Sequence, residues 1–139
     1  QAIKKIEEFE RLEALVKQAE EMAERNPQHI VGLHECYTHC LEFYFGYRKK
    51  VPKALENAKH YCKKQINLTI RSLPALRKAH SDDKLPVHPG IKMLATIRED
   101  EQRYQDAYLL CQKGFKEGWS GDWVKRMARL QKRLDKIKK

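Results

Sequence analysis

Chain breakers are scarce in this sequence. Its 139 residues hold only 6 Gly and 5 Pro, and three of the prolines, Pro74, Pro86 and Pro89, fall close together. That composition excludes collagen-like and Pro/Gly-rich low-complexity chains. No apolar run approaches the roughly 18 residues of a membrane span, and no signal-peptide core is present. Cysteine is limited to 4 residues. A chain of this length buries roughly two-thirds of its unfolded surface and needs no disulfide or metal to hold a core. The 12 aromatic residues, spread along most of the length, argue against intrinsic disorder. One domain over residues 1–139 is expected. Because the sequence opens on Gln1, it is expected to be a fragment of a longer chain.

Catalytic signatures are missing as well. There is no phosphate-cradling glycine loop, no nucleophile elbow and no His-Glu-x-x-His helix. His34-Glu35 is followed by Cys36-Tyr37-Thr38, which fails the last pattern. The acidic groups Glu99-Asp100-Glu101 and Asp82-Asp83 have no neighbouring base and read as helix ends and solvated loop. Neither catalysis nor a cofactor is expected.

Positive charge is plentiful and uneven. The net charge is +10, yet residues 1–25 carry seven Glu against five basic groups, whereas residues 125–139 carry eight Lys/Arg against Asp135 alone. Such a tail attracts phosphate or acidic peptide, or it is simply a solvated helix face.

Periodicity predicts helix nearly everywhere. Ile3, Ile6, Phe9, Leu12, Leu15 or Val16, Ala19 and Met22 recur in steps of three and four until Asn26-Pro27, one apolar stripe on a charged body. Further helices are expected over about 29–48 and from Pro52 to about Arg71, joined by the basic turn Lys49-Lys50-Val51 and therefore antiparallel. Residues 72–89 read as a broken helix and then a loop, the most flexible part of the chain. Helices follow over about 90–100 and 103–116, then a Gly118 to Asp122 turn and a last helix from Trp123. Its apolar positions Trp123, Met127, Leu130, Leu134 and Ile137 form one narrow seam, suited to closing its own domain or pairing with a second copy. No β-strand alternation of useful length occurs.

An internal repeat organises these helices. Leu41 precedes Ala54 by the same interval as Leu94 precedes Ala107, and Ala58 then falls on Cys111, Tyr61 on Gly114 and Cys62 on Phe115. Small residues at Ala54 and Ala107 suit a helix pressed against its hairpin partner. The best stretch, Ile91-Lys92-Met93-Leu94-Ala95 followed by Tyr104, Ala107, Cys111 and Gly114, resembles the tetratricopeptide repeat family. The upstream copy keeps Leu41, Phe45, Ala54 and Ala58 but has Glu42 at the usual glycine. The family's period is about 34 residues, so an insertion over roughly 73–89 separates the two copies.

The resemblance implies an all-α stack of antiparallel hairpins forming a short right-handed superhelix, with hairpins at about 29–71 and 90–117 and capping helices at 1–25 and 123–139. It also implies a protein-interaction module that binds an extended peptide or partner helix. The groove positions it points to are Cys36, His39, Phe43 and Tyr47, then Lys92, Thr96 and Glu99, of which His39, Phe43, Tyr47, Lys92 and Thr96 are the expected binding residues. The Lys/Asn carboxylate clamp of some family members is not matched beyond Lys92. Phe43 and Tyr47, four apart on one face, either anchor a partner's apolar side chain or pack beneath a terminal helix.

Cysteine and histidine have two readings. Cys36, Cys40, His60 and Cys62 sit at similar heights on an antiparallel pair and would supply four zinc ligands, but their spacing matches no usual zinc pattern and buried cysteines are ordinary small core residues. No metal is expected, and unpaired cysteines suit the cytoplasm. The sequon Asn67-Leu68-Thr69 lies within a helix and is discounted. The partner is expected to be a protein or peptide, with an acidic one suited to the basic tail. The competing reading is nonspecific nucleic-acid binding through Lys125, Arg126, Arg129, Lys132 and Arg133. The last helix has too narrow an apolar seam to insert into a membrane.

Overall fold

A computed structural model describes residues 2–81 and 84–138 of the chain. Among these the fold is all-α. Six α-helices form, with a single 3-10 turn at Pro27–His29 and no strand beyond one isolated parallel bridge between Leu85 and Trp119. No described helix is long and apolar enough to cross a membrane. Asp82, Asp83 and Lys139 lie outside the described residues. The helices are α1 (Ala2–Arg25), α2 (Ile30–Gly46), α3 (Ala54–Ala79), α4 (Pro89–Asp100), α5 (Tyr104–Glu117) and α6 (Trp123–Lys138). The chain divides into two compact units, residues 1–75 and 76–139.

In the first unit α1 buries Val16 and Ala23 and leaves Ile6, Leu15 and Met22 largely exposed. Of the two alternatives at the fifth position of the stripe, it is thus Val16 that faces inward. The helix stops where Asn26 leaves helical geometry and its side chain caps the following turn, accepting from the Gln28 N–H at 3.0 Å, with Pro27 in the first turn. On α2, Leu33, Tyr37, Cys40, Leu41 and Tyr44 are buried, and on α3 Ala54, Ala58, Tyr61, Cys62 and Leu68. Each fully buried Leu or Val contributes roughly 1.5–3 kcal/mol. Ala54 is completely buried, as a close helix crossing requires.

Two carboxylates tie the three helices together. Glu13 of α1 accepts from the hydroxyls of Tyr44 on α2 (2.6 Å) and Tyr61 on α3 (2.6 and 2.7 Å). One heptad later Glu20 accepts from Tyr37 (2.5 Å) and Lys64 (2.6 Å). Burial and donation to these carboxylates push all three tyrosine hydroxyls well above their ordinary pKa. Between α2 and α3, the buried Gln65 amide donates to the His34 carbonyl at 2.8 Å and to Thr38 Oγ1 at 2.7 Å.

The third helix departs from expectation. It runs through Pro74 to Ala79 instead of ending near Arg71. Proline removes the N–H that would bond the carbonyl of Ile70, but the Ile70 side chain is 85% exposed and water is at hand on that face. Meanwhile Leu68, Ser72 and Leu76, buried at helical spacing, hold the register across the break. The residues after it are not all loose: Leu85 and His88 are buried, and the Leu85 carbonyl accepts from the Ser120 N–H and hydroxyl.

The second unit is built on α4, α5 and α6. Ile91, Leu94, Ala95 and Ile97 of α4 are buried, as are Ala107 and Cys111 of α5 and Trp123 and Leu130 of α6. His88 caps α4, its Nδ1 accepting from the Ile91 N–H at 3.0 Å. At the other end of the hairpin Gly118 takes the left-handed conformation (φ 86°), and the Trp119 N–H returns to the Gly114 carbonyl. Trp119 stands edge-on to the His88 ring at 4.8 Å. Trp123 donates its indole N–H to the Trp119 carbonyl at 2.8 Å. A Cβ at Gly114 or Gly121 would lie 2.8 or 2.9 Å from Trp123 ring atoms, so both glycines make room for that indole.

Candidate functional site

The expected binding residues fall in both units. In the first, His39 and Phe43 line an open groove of about 630 Å³ between α1 and α2. Leu12, Leu15 and Phe43 form its apolar lining, and Glu8, Arg11, His39 and Glu42 its polar lining. Leu15 is 60% exposed and shares the groove with Leu12 and Phe43; such a contiguous apolar strip, rather than one exposed leucine, marks an interaction surface. Phe43 is half-buried, its ring 5.5 Å from that of Phe9 on α1 and 5.1 Å from that of Tyr47. Phe43 thus packs in part beneath the first helix, the second of the two alternatives, while the rest of its ring lines the groove.

Tyr47 is placed differently. Its hydroxyl accepts from Lys5 Nζ at 2.6 Å, and the same ammonium sits 4.3 Å from its ring centroid. It lines a second cavity, beside the α2–α3 turn, with Lys5 and Lys50. Nothing in the sequence pattern marks Lys5 for this contact, because the two residues are far apart in the chain and Lys5 belongs to the charged face of α1.

In the second unit expected groove residues of α4 meet two arginines of the expected basic surface. Thr96 Oγ1 accepts from Arg126 at 3.2 Å and donates to the Lys92 carbonyl at 3.0 Å. Arg126 also donates to Asp122 at 2.8 Å, and Arg129 forks onto Glu99 at 3.1 and 2.7 Å. The Asp122 carboxyl is drawn up by desolvation, but the Arg126 hydrogen bond outweighs this and leaves it below its ordinary range; the hydrogen bond to Glu99 raises Arg129. Lys92, Lys125 and Lys132 are exposed, and Arg133 lies over the Tyr104 ring at 5.6 Å. Two of the five cations expected to form a basic surface are thus engaged by carboxylates within the fold.

All four cysteines are free thiols, with Cys40, Cys62 and Cys111 buried and Cys36 half-buried. Among the described residues no three His, Cys, Asp or Glu side chains gather closely enough to hold a metal ion. Cys36 and Cys40, one helical turn apart, share a hydrogen bond that lowers the Cys36 thiol to about 7 against the opposing effect of burial, and raises Cys40. Trp119 and Trp123 are buried and present no ring face for stacking a base. No family model, no characterised protein and no solved structure matches this chain.

Proposed function

We propose that the chain is a tetratricopeptide-like protein-interaction module of the cytoplasm that binds a peptide or partner helix and carries no catalysis. The observation that carries this reading is the α1–α2 groove, in which Leu15 stays 60% exposed beside Phe43. Apolar side chains at helical spacing inside a polar border are the usual means of seating another helix or an extended peptide. The α4–α5 hairpin supports the family resemblance: Leu94, Ala107 and Gly114, three of its pattern positions, are all buried. Free cysteines suit the reducing cytoplasm. The right-handed superhelix belongs to the same proposal.

Nucleic-acid binding through α6 has less support, because Arg126 and Arg129 already hold Asp122 and Glu99. The test is selection of peptides on the folded chain from a displayed library, followed by calorimetric titration. Binding should be lost on Leu15→Glu with the melting temperature unchanged, since Leu15 is exposed. Selected peptides that bind Leu15→Glu as tightly as the parent chain would sink the groove reading.

A further inference from the structure

This inference rests on the interaction-module reading and adds a site and a chemistry to it. Where α1 passes the α2–α3 turn, Ile6, Phe9, Val51 and Pro52 line a cavity of about 610 Å³, within the range of roughly 300–1,000 Å³ common for ligand sites. Among the described residues lining it, the charged ones are both lysines, Lys5 and Lys50. Lys5 Nζ has three donors. Tyr47 accepts one at 2.6 Å and the Glu8 carboxylate another at 3.2 Å, so the ammonium is held in place with its charge shared with Glu8 and a third N–H to give. Lys50 is exposed in a run from Arg48 to Lys53 that holds four cations and no acid.

The geometry points to this cavity as the docking site of an acidic peptide that inserts one apolar side chain against Ile6, Phe9, Val51 and Pro52 while its carboxylates meet Lys5 and Lys50. Ile6 is 56% exposed and gains most from being covered. Charge selects the partner's sign, and the length of the basic run suits several carboxylates in one segment better than a single small anion. A nucleic acid is less suited. The Tyr47 ring is already met by the Lys5 ammonium, and Phe9 is held edge-on among Phe43, Tyr44 and Tyr47, so no aromatic face is offered to a base.

The experiment is fluorescence anisotropy of the full chain with a labelled peptide of Asp and Glu carrying one central Phe. Saturable binding is expected, weakened roughly tenfold or more when that Phe is replaced by Ala and roughly tenfold by Lys50→Glu, with the melting temperature unchanged. Lys125→Glu, on α6, should leave it as it was. The inference is overturned if the Ala peptide binds as tightly, if Lys50→Glu has no effect, or if a single-stranded oligonucleotide of equal charge competes as well as the unlabelled peptide. It is also overturned if Leu15→Glu removes binding and Lys50→Glu does not, an outcome that leaves the interaction-module reading standing at the α1–α2 groove. Absence of probe binding overturns the inference, and the broader reading falls with it only if library-selected peptides also fail to bind.

Discussion

Tyr44 and Tyr61, on different helices, stack with parallel rings 5.8 Å apart and donate their hydroxyls to the same Glu13 carboxylate. One exposed glutamate of α1 therefore holds the inner faces of α2 and α3. Replacing it with alanine leaves the hydroxyls of two buried tyrosines to find water or go unpaired. Glu13→Ala is expected to destabilise the fold by about 1–3 kcal/mol, and Glu13→Gln by less, since the amide oxygen still accepts. Urea unfolding followed by circular dichroism measures both, and equal stability of the alanine variant and the parent would refute the arrangement.

Glu20 makes a pH prediction. Burial alone would raise its pKa, but the hydrogen bonds from Lys64 and Tyr37 outweigh burial and hold it below the ordinary glutamate value of 4.5. The folded state thus binds this proton less readily than the unfolded one. The stabilisation is complete above 4.5 and is lost as the pH falls through the lower folded value. The difference in melting temperature between the parent and Glu20→Gln should shrink across that acid range and stay constant above it.

At Gly114 a methyl group would meet the Trp123 indole at 2.8 Å. Alanine favours the helix by about 1 kcal/mol, but overpacking costs about 1–3 kcal/mol. Gly114→Ala is expected to lower the melting temperature and shift the tryptophan emission. A stabilised variant with unchanged emission would mean that the indole can move aside freely.

Cys36 should be the reactive thiol. In the folded chain alkylation is expected at Cys36 first, with a midpoint near its pKa of about 7, while buried Cys40, Cys62 and Cys111 react only on unfolding. Cys40→Ala, which removes the hydrogen-bond donor, should move that midpoint upward. Peptide mass spectrometry of timed alkylation separates the sites, and uniform labelling of all four cysteines in the native state would contradict the packing.

The all-α class and most helix limits were legible in the sequence, because Asn26-Pro27, the Gly118 turn and the three-to-four spacing of apolar residues each carry a local physical signal. Ala54 and Ala107 were legible as close contacts for the same reason. The course of α3 past Pro74 was not. A local rule ends a helix at proline, and the contrary weight of Leu68, Ser72 and Leu76 comes from tertiary burial. Choosing Val16 over Leu15 likewise needed the neighbouring helices, since both fit the period. The pairing of Arg126 with Asp122 lay within one turn of sequence and was open to reading. That of Arg129 with Glu99 joins two helices and was not. The heptad spacing shared by Glu13 and Glu20, and by Tyr37 and Tyr44, is the signal that would have revealed the carboxylate ladder.

The measurement that tests the central claim most directly is a nitrogen-15 correlation spectrum of the full chain titrated with a library-selected peptide. The account predicts shifts concentrated at Arg11, Leu15, His39 and Glu42 or at the cavity around Lys5 and Lys50, with α6 silent. Shifts confined to Lys125, Lys132 and their neighbours on α6, fading as salt rises, would contradict it and make the basic helix the functional surface.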